Sequence, residues 1–332
     1  MKDHDHTIPT AGIRSISTRG RSLALRLTAM GAIALLLPVS AVAGTPLSGQ
    51  ITTPATAASS TGHFVYQTQL DLGTQAGSGD NLGRSTALSS DGHTVLAGAP
   101  YRVVNGKHEA GAAEVFRLVA GTWSGATQLD LGAAARGSDT HHGGDHLGWT
   151  VALDASGNVA LVGAVDRHVK GNVDGEGAVE VFRFVNGHWS TPTQLSLGSA
   201  AVGAGSNSDG NWFGNALALS ADGNTALIGA PGRAVNGQPR AGSAYVFRFS
   251  SGTWGPPVEL NLGSQATGGQ QGRSGDLFGS SVALSSDGNT AVVGAPGRYD
   301  DGNQGLGTGR RRGVSLQWRH LGPAGRAHHP RD

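Results

Sequence analysis

From about residue 79 the apolar residues of this chain fall in short runs, alternating with polar positions or rich in β-branched and aromatic types, and clusters of Gly, Asp, Asn, Ser and Pro separate the runs. Such runs suit strands joined by tight turns, and nothing after Ala43 has convincing helical spacing. Residues 215–219, 225–231, 242–249 and 254–262 make one set of four predicted strands. Between the first two lies Asp222-Gly223, a pair matched by Asp91-Gly92 and Asp287-Gly288, where a two-residue hairpin needs positive φ. Ser156-Gly157 takes that place in the second copy.

The whole set recurs. Gly83, Gly148, Gly214 and Gly279 open the first strand in steps of 65, 66 and 65 residues, and the Gly-Ala pairs at Gly98, Gly163, Gly229 and Gly294 close the second in the same steps. Two anchors with one period mean one supersecondary unit in tandem. A four-stranded unit with two apolar faces must stack on its own copies, and radial stacking yields an all-β propeller. The units run over about 79–132, 144–198, 210–263 and a partial 275–308, about three and a half blades with a period of 65–66 residues.

Aromatic residues keep the same phase: Phe116, Phe182 and Phe247 on the third strand, and Trp123, Trp189 and Trp254 before the fourth. A sugar-stacking platform would use exposed aromatics; one per unit at fixed phase reads as core between blades. The fourth strand closes with Leu129 and Leu131, Leu195 and Leu197, or Leu260 and Leu262, which alternation places on one buried face.

Composition narrows the function. Gly reaches 55 of 332 residues while charged residues make only 14%, so the chain is turn-rich and weakly charged. A net charge of +1 and no basic stripe within the repeats exclude nucleic acid as a partner. There is no Cys, so no disulfide supports the fold.

The sequence from Gly275-Asp276-Leu277-Phe278-Gly279 through Asp287-Gly288 to Gly294-Ala295-Pro296 resembles the FG-GAP repeat of integrin α-subunit propellers, in its bacterial exported variety. The resemblance covers roughly residues 62–308 and implies a β-propeller used for extracellular binding. Family members of the integrin type often hold calcium in an acidic loop before the second strand. Here only the final Asp-Gly of that loop remains, and one carboxylate cannot supply the oxygens calcium requires, so no cofactor is expected.

Before each unit an acid or amide recurs: Asp80, Asp145, Asn211 and Asp276, with Asp209 beside the third. These could place oxygens around a rim for a cation or sugar, or cap turns locally. Asp139, His141, His142, Asp145 and His146 gather metal-ligand types in one Gly-rich loop that offers little outer-shell support, so no native metal site is expected. Asp174, Glu176, Asp300 and Asp301 lie in the variable loop after the Gly-Ala element, where binding specificity would sit. No nucleophile elbow or phosphate loop occurs, and no enzyme is expected.

At the N-terminus, Arg14, Arg19, Arg21 and Arg26 precede an apolar run from Leu27 to Leu37 and the small-x-small site Ala41-Val42-Ala43. This predicts a signal peptide over 1–43, cleaved after Ala43, with no span left afterwards, since the run is shorter than the roughly 20 residues a span needs. Residues 44–61, rich in Thr, Ala, Ser and Pro, predict a flexible leader. Residues 62–73 repeat the fourth-strand segment 121–132 with no strands ahead of them, and are expected to close a ring by completing a blade formed at the other terminus.

Residues 309–332 match nothing upstream. Read one base later, codons from Gly309 onward can encode Gly-Ala-Ala-Glu-Val-Phe-Arg-Phe and then Gly-Gly-Thr-Trp-Gly-Pro-Pro-Val-Glu-Leu, the missing third and fourth strands. The expectation is a frameshifted, disordered tail and a half-built last blade. The sequence therefore predicts a secreted or surface FG-GAP propeller that binds an extracellular protein or carbohydrate. Its alternatives are the recognition propeller of a secreted hydrolase and a structural surface component.

Overall fold

The computed structural model describes residues 68–138, 143–169, 175–201, 210–269, 275–298 and 315–320, all within one compact unit, Tyr66–Asp332. The expected signal peptide, leader and first half of segment 62–73 lie outside these residues, as do Asp139, His141, His142, Asp174, Asp209, Asp300 and Asp301.

Blade 1 contains β1 (Thr86–Leu88), β2 (Thr94–Ala99), β3 (Ala112–Val119), β4 (Thr122–Trp123) and β5 (Thr127–Leu129). Blade 2 repeats it with β6 (Leu147–Leu153), β7 (Val159–Ala164), β8 (Ala178–Val185), β9 (His188–Trp189) and β10 (Thr193–Leu195). Blade 3 has β11 (Ala216–Leu219), β12 (Thr225–Ala230), β13 (Ser243–Ser250), β14 (Thr253–Trp254) and β15 (Val258–Leu260), and blade 4 has β16 (Ser281–Leu284), β17 (Thr290–Ala295) and β18 (Ser315–His320). Every strand pairing within a blade is antiparallel, giving a partial β-propeller with no closed barrel among the described residues.

Two elements differ from expectation. The single fourth strand is two short strands, both bonded to the third strand of the blade. The interruption falls at 124–126, 190–192 and 255–257, where Pro192, Pro256 and Pro257 have no N–H for a ladder. In the tail, Ser315–His320 pairs with β17, Ser315 opposite Ala295 as Ser243 stands opposite Ala230. The sequence Ser-Leu-Gln-Trp-Arg-His alternates polar and apolar residues, which suits the unpaired edge of a hairpin.

The first hairpin of each blade turns at Gly92, Gly157, Gly223 or Gly288, with φ of 72°, 71°, 69° and 69°. In blade 1 the Ser89 hydroxyl donates to Asp91 Oδ1 at 2.6 Å, and the same oxygen accepts from the His93 N–H at 2.9 Å. Blade 2 reverses the two side chains. Asp154 stands where Ser89 does, accepts from the N–H groups of Asn158 and Val159 at 2.8 Å each, and receives the Ser156 hydroxyl at 2.6 Å. The missing Asp-Gly pair is thus the same turn with acid and hydroxyl exchanged.

The core lies between blades. Phe182 of blade 2 packs with Leu96, Val115 and Leu129 of blade 1, and Phe247 of blade 3 with Leu161, Val181 and Leu195 of blade 2. Trp189 and Trp254 are half-buried beside them. The paired leucines of the fourth strands are buried as alternation requires. Two of the junctions also carry a stacked guanidinium: Arg117 lies 4.0 Å over Phe184 and Arg183 3.8 Å over Phe249.

Blades touch backbone to backbone at the two glycine anchors. A Cβ on Gly98 would lie 1.9 Å from the carbonyl oxygen of Gly148 in the next blade, and one on Gly229 would lie 2.0 Å from that of Gly279. A second seam joins the hairpin turns, where Ser90 N–H donates to Ala155 O, Ala155 N–H to Ala221 O and Ala221 N–H to Ser286 O, at 2.9, 3.1 and 2.9 Å. A third joins the segment before each third strand to the next blade, as in Leu147 N–H to Ala110 O and Phe278 N–H to Ala241 O.

Gly229→Ala should therefore force blades 3 and 4 apart and cost about 2–3 kcal/mol. Gly125→Ala, where a Cβ meets nothing within 4 Å, should change stability by no more than about 0.5 kcal/mol. Denaturant midpoints of the two variants check the contrast.

Candidate functional site

The recurring acids and amide enter the fold facing inward. Asp80, Asp145, Asn211 and Asp276 are buried. Asp80 Oδ2 lies 2.9 Å from Arg102 Nη1 and Asp145 Oδ2 2.9 Å from Arg167 Nη1, each 22 residues on, and Asp276 lies 3.6 Å from Arg298. The carboxylates also cap turns: Asp80 accepts from the Gly77 N–H at 2.8 Å, Asp145 from Arg136 at 2.6 Å and Asp276 from Thr267 at 2.6 Å. They do not form an open rim of oxygens.

Their arginines join blades. Arg102 Nη1 donates to Gln75 O at 3.1 Å, Arg167 to Ala134 O at 3.3 Å, Arg233 to Ala200 O at 2.5 Å and Arg298 to Gln265 O at 3.1 Å. Each acceptor belongs to the 3-10 turn that follows the fourth strand of the preceding repeat: Gly73–Gln75, Gly132–Ala134, Gly198–Ala200 or Gly263–Gln265. A second acid backs two of the arginines, with Glu114 3.2 Å from Arg102 and Glu180 3.3 Å from Arg167. Blade 3 moves that acid one strand outward. Tyr245 stands where Glu114 and Glu180 do, and its cross-strand partner is Glu259, where the other blades have Gln128 and Gln194.

Sequence reading missed this latch because the arginines lie in the loop after each second strand, and Glu114 and Glu180 sit inside third strands that look like ordinary alternating runs. The constant 22-residue offset from acid to arginine was the signal available.

A different cluster stands at the junction of blades 1 and 2. His146 Nδ1 lies 2.8 Å from Asp166 Oδ2, and its Nε2 lies 3.7 Å from Glu109 Oε2 in the neighbouring blade. Tyr101 meets the imidazole edge-on at 5.1 Å, Trp149 lies 6.1 Å away, and Arg84 stacks on Trp149 at 4.1 Å. His146 adopts φ of 50°, one residue after the buried Asp145, which turns its side chain away from the latch. Glu109 and Asp166 keep 40% and 29% of their side-chain surface exposed. Of the other acids singled out from the sequence, Glu176 is buried and accepts from the Val169 N–H.

The Asp-Gly turns use their own oxygens. Asp91 is held below the usual carboxylate range, first by the Ser89 hydroxyl and then by the His93 N–H.

These features define a class: a propeller module of blades latched face to face, with one chemically distinct junction. The FG-GAP repeat family matches residues 199–247 and 270–309, within the third and fourth repeats, so these repeats are similar to FG-GAP repeats. No curated protein matches the chain. Among solved structures, hydrazine synthase of Kuenenia stuttgartiensis is similar at 11% identity and a TM-score of 0.40, over 73% of this chain and 52% of that one. The chain thus spans about half the length of that structure. No described helix is long and apolar enough to cross a membrane.

Burial raises Glu114 and Glu180 to about 7, against the pull of Arg102 and Arg167. Neither oxygen of Glu114 has a hydrogen-bond partner, so ionisation there is poorly compensated despite the nearby guanidinium. A carboxyl whose pKa is higher folded than unfolded favours folding at low pH, and that stability is lost as pH rises through the folded value. The protein should therefore melt at lower temperature as pH rises from about 5 to 8. Glu180→Gln removes one titrating group, flattens the profile, and should raise Tm at pH 8 by roughly 2–4 °C, measured by calorimetry.

Proposed function

We propose that this chain is an exported FG-GAP propeller module that binds an extracellular protein or carbohydrate at the blade 1–blade 2 junction and catalyses no reaction. The observation that carries this reading is a break in repeat symmetry. Arg84, Tyr101, Glu109, His146, Trp149 and Asp166 meet there, whereas the equivalent positions at the blade 3–blade 4 junction are Asn215, Gly232, Arg240, Leu277, Ser280 and Gly297. Residues that hold blades together repeat; at the blade 2–blade 3 junction Trp212 and Gly175 stand where His146 and Glu109 do, so the Glu109, His146 and Asp166 cluster serves something other than assembly. Loops that vary on a rigid scaffold are where recognition resides.

The chemistry suits a polar ligand with apolar faces. Two partly exposed carboxylates and a guanidinium offer hydrogen bonds, and Tyr101 and Trp149 offer aromatic surface. His146 Nε2 faces a carboxylate, not a hydroxyl or thiol, so its pairing with Asp166 activates no nucleophile. Calcium is not needed, because the Asp-Gly carboxylates already accept from their own turns. The basic, apolar and small-residue order of residues 1–43 supports export.

The test is binding of the purified chain to immobilised glycans and extracellular matrix proteins, compared with the Glu109→Gln/His146→Ala double variant. One ligand class should bind the parent, and the variant should bind it about tenfold or more weakly with an unchanged melt. Binding unaffected by the double substitution, or no binding to any probe, rejects the reading.

A further inference from the structure

The structure divides the aromatic pair of each repeat. Phe182 and Phe247 are buried, whereas Trp189 and Trp254 keep part of their surface open. Trp254 of β14 stands opposite Phe249 of β13, so both rings lie on one face of blade 3, with centroids 5.4 Å apart. Arg183 of blade 2 reaches across the junction and lies 3.8 Å over Phe249 but 5.8 Å from Trp254. The guanidinium caps the phenylalanine and leaves the indole to line the opening beside it.

That opening is a groove of about 830 Å³ between blades 2 and 3. Trp254, Pro256 and Pro257 line it from blade 3, where the fourth strand is interrupted, and Thr191, Thr193 and Gln194 line it from blade 2, at and before β10. All three of these blade 2 residues are exposed. Gln194 Oε1 accepts from Arg167 Nε at 3.3 Å, which leaves the amide N–H groups for another partner. Arg183 is the one charged residue among those lining the groove, and its Nη2 already donates to Gly223 O at 3.4 Å.

An aromatic face, two hydroxyls that can donate and accept, an amide and no free charge suit a neutral ring with an apolar face and a rim of hydroxyls, which is the chemistry of a pyranose. An extended peptide fits less well. Strand β10 has three residues and follows Pro192, so its outer edge offers little backbone for strand addition. The equivalent groove between blades 1 and 2, beside Trp189, is smaller at about 450 Å³. There Gln128, in the place of Gln194, donates its amide to Asp130 Oδ2. The blade 2–blade 3 groove has both more room and a free amide.

We propose that this groove is a carbohydrate site, apart from the His146 junction, that takes a neutral oligosaccharide with one pyranose stacked on Trp254 and its hydroxyls bonded by Thr191, Thr193 and Gln194.

Isothermal titration of the full chain with maltohexaose, cellohexaose, chitohexaose and mannohexaose tests this. One of the four should bind, and Trp254→Ala should weaken it about tenfold or more. Trp254 also packs on the inter-blade core, so a second variant is needed. Thr191→Ala/Thr193→Ala, at exposed positions, should keep the parent's melting temperature and weaken the same sugar about tenfold. Thr127→Ala, at the position in blade 1 that Thr193 holds in blade 2, should bind as the parent does. Binding unchanged by the threonine double variant, or weakened equally by Thr127→Ala, overturns the proposal. So does failure of all four sugars to bind; if a polyproline peptide binds where they do not, the groove is a peptide site.

Discussion

Successive blades approach so closely at Gly98 and Gly148, and again at Gly229 and Gly279, that no side-chain atom fits between them. That spacing sets the other inter-blade contacts. It brings the hairpin turns within hydrogen-bonding distance, lets Phe182 and Phe247 reach the preceding blade's leucines and valines, and puts the stacking arginines over the next blade's aromatic pair. The glycines that open and close each repeat unit are therefore the two sides of one contact, although about 50 residues separate their partners in sequence.

The arginine latch operates within the same spacing at a different cost. A guanidinium that crosses a junction must be buried, and its charge needs acids close by. Asp80 and Glu114 supply them in blade 1, Asp145 and Glu180 in blade 2. In blade 3 the upstream position is neutral Asn211, the inner strand position is Tyr245, and the acid is Glu259 on the outer strand. Arg233 keeps its bond to Ala200 O while Glu259 accepts from the Ser243 hydroxyl; the exchange of Ser89 and Asp91 for Asp154 and Ser156 is the case where a contact is retained while the residues supplying it move.

Against this background of repeated joints, the blade 1–blade 2 junction stands apart in chemistry and leaves the scaffold unchanged. His146, Trp149 and Asp166 occupy backbone positions that every blade has, and Leu277, Ser280 and Gly297 fill the same positions in blade 4 without altering the fold. The residues that set this junction apart stand on positions that assembly leaves free.

Sequence alone determined the repeat, the strand order within a blade and the buried phase of Phe and Leu, because each follows from period and alternation, which are local properties. It also determined the hairpins, since Gly92, Gly223 and Gly288 need only their own φ. Only the tertiary structure decided what Asp80, Asp145 and Asp276 do. An acid before a strand reads the same whether it faces solvent or an arginine 22 residues on, and burial settles which. The split of the fourth strand, the pairing of Ser315–His320 and the meeting of Glu109 with His146 across two blades were likewise out of reach. Each depends on which edge or face is left unfilled once the blades are packed.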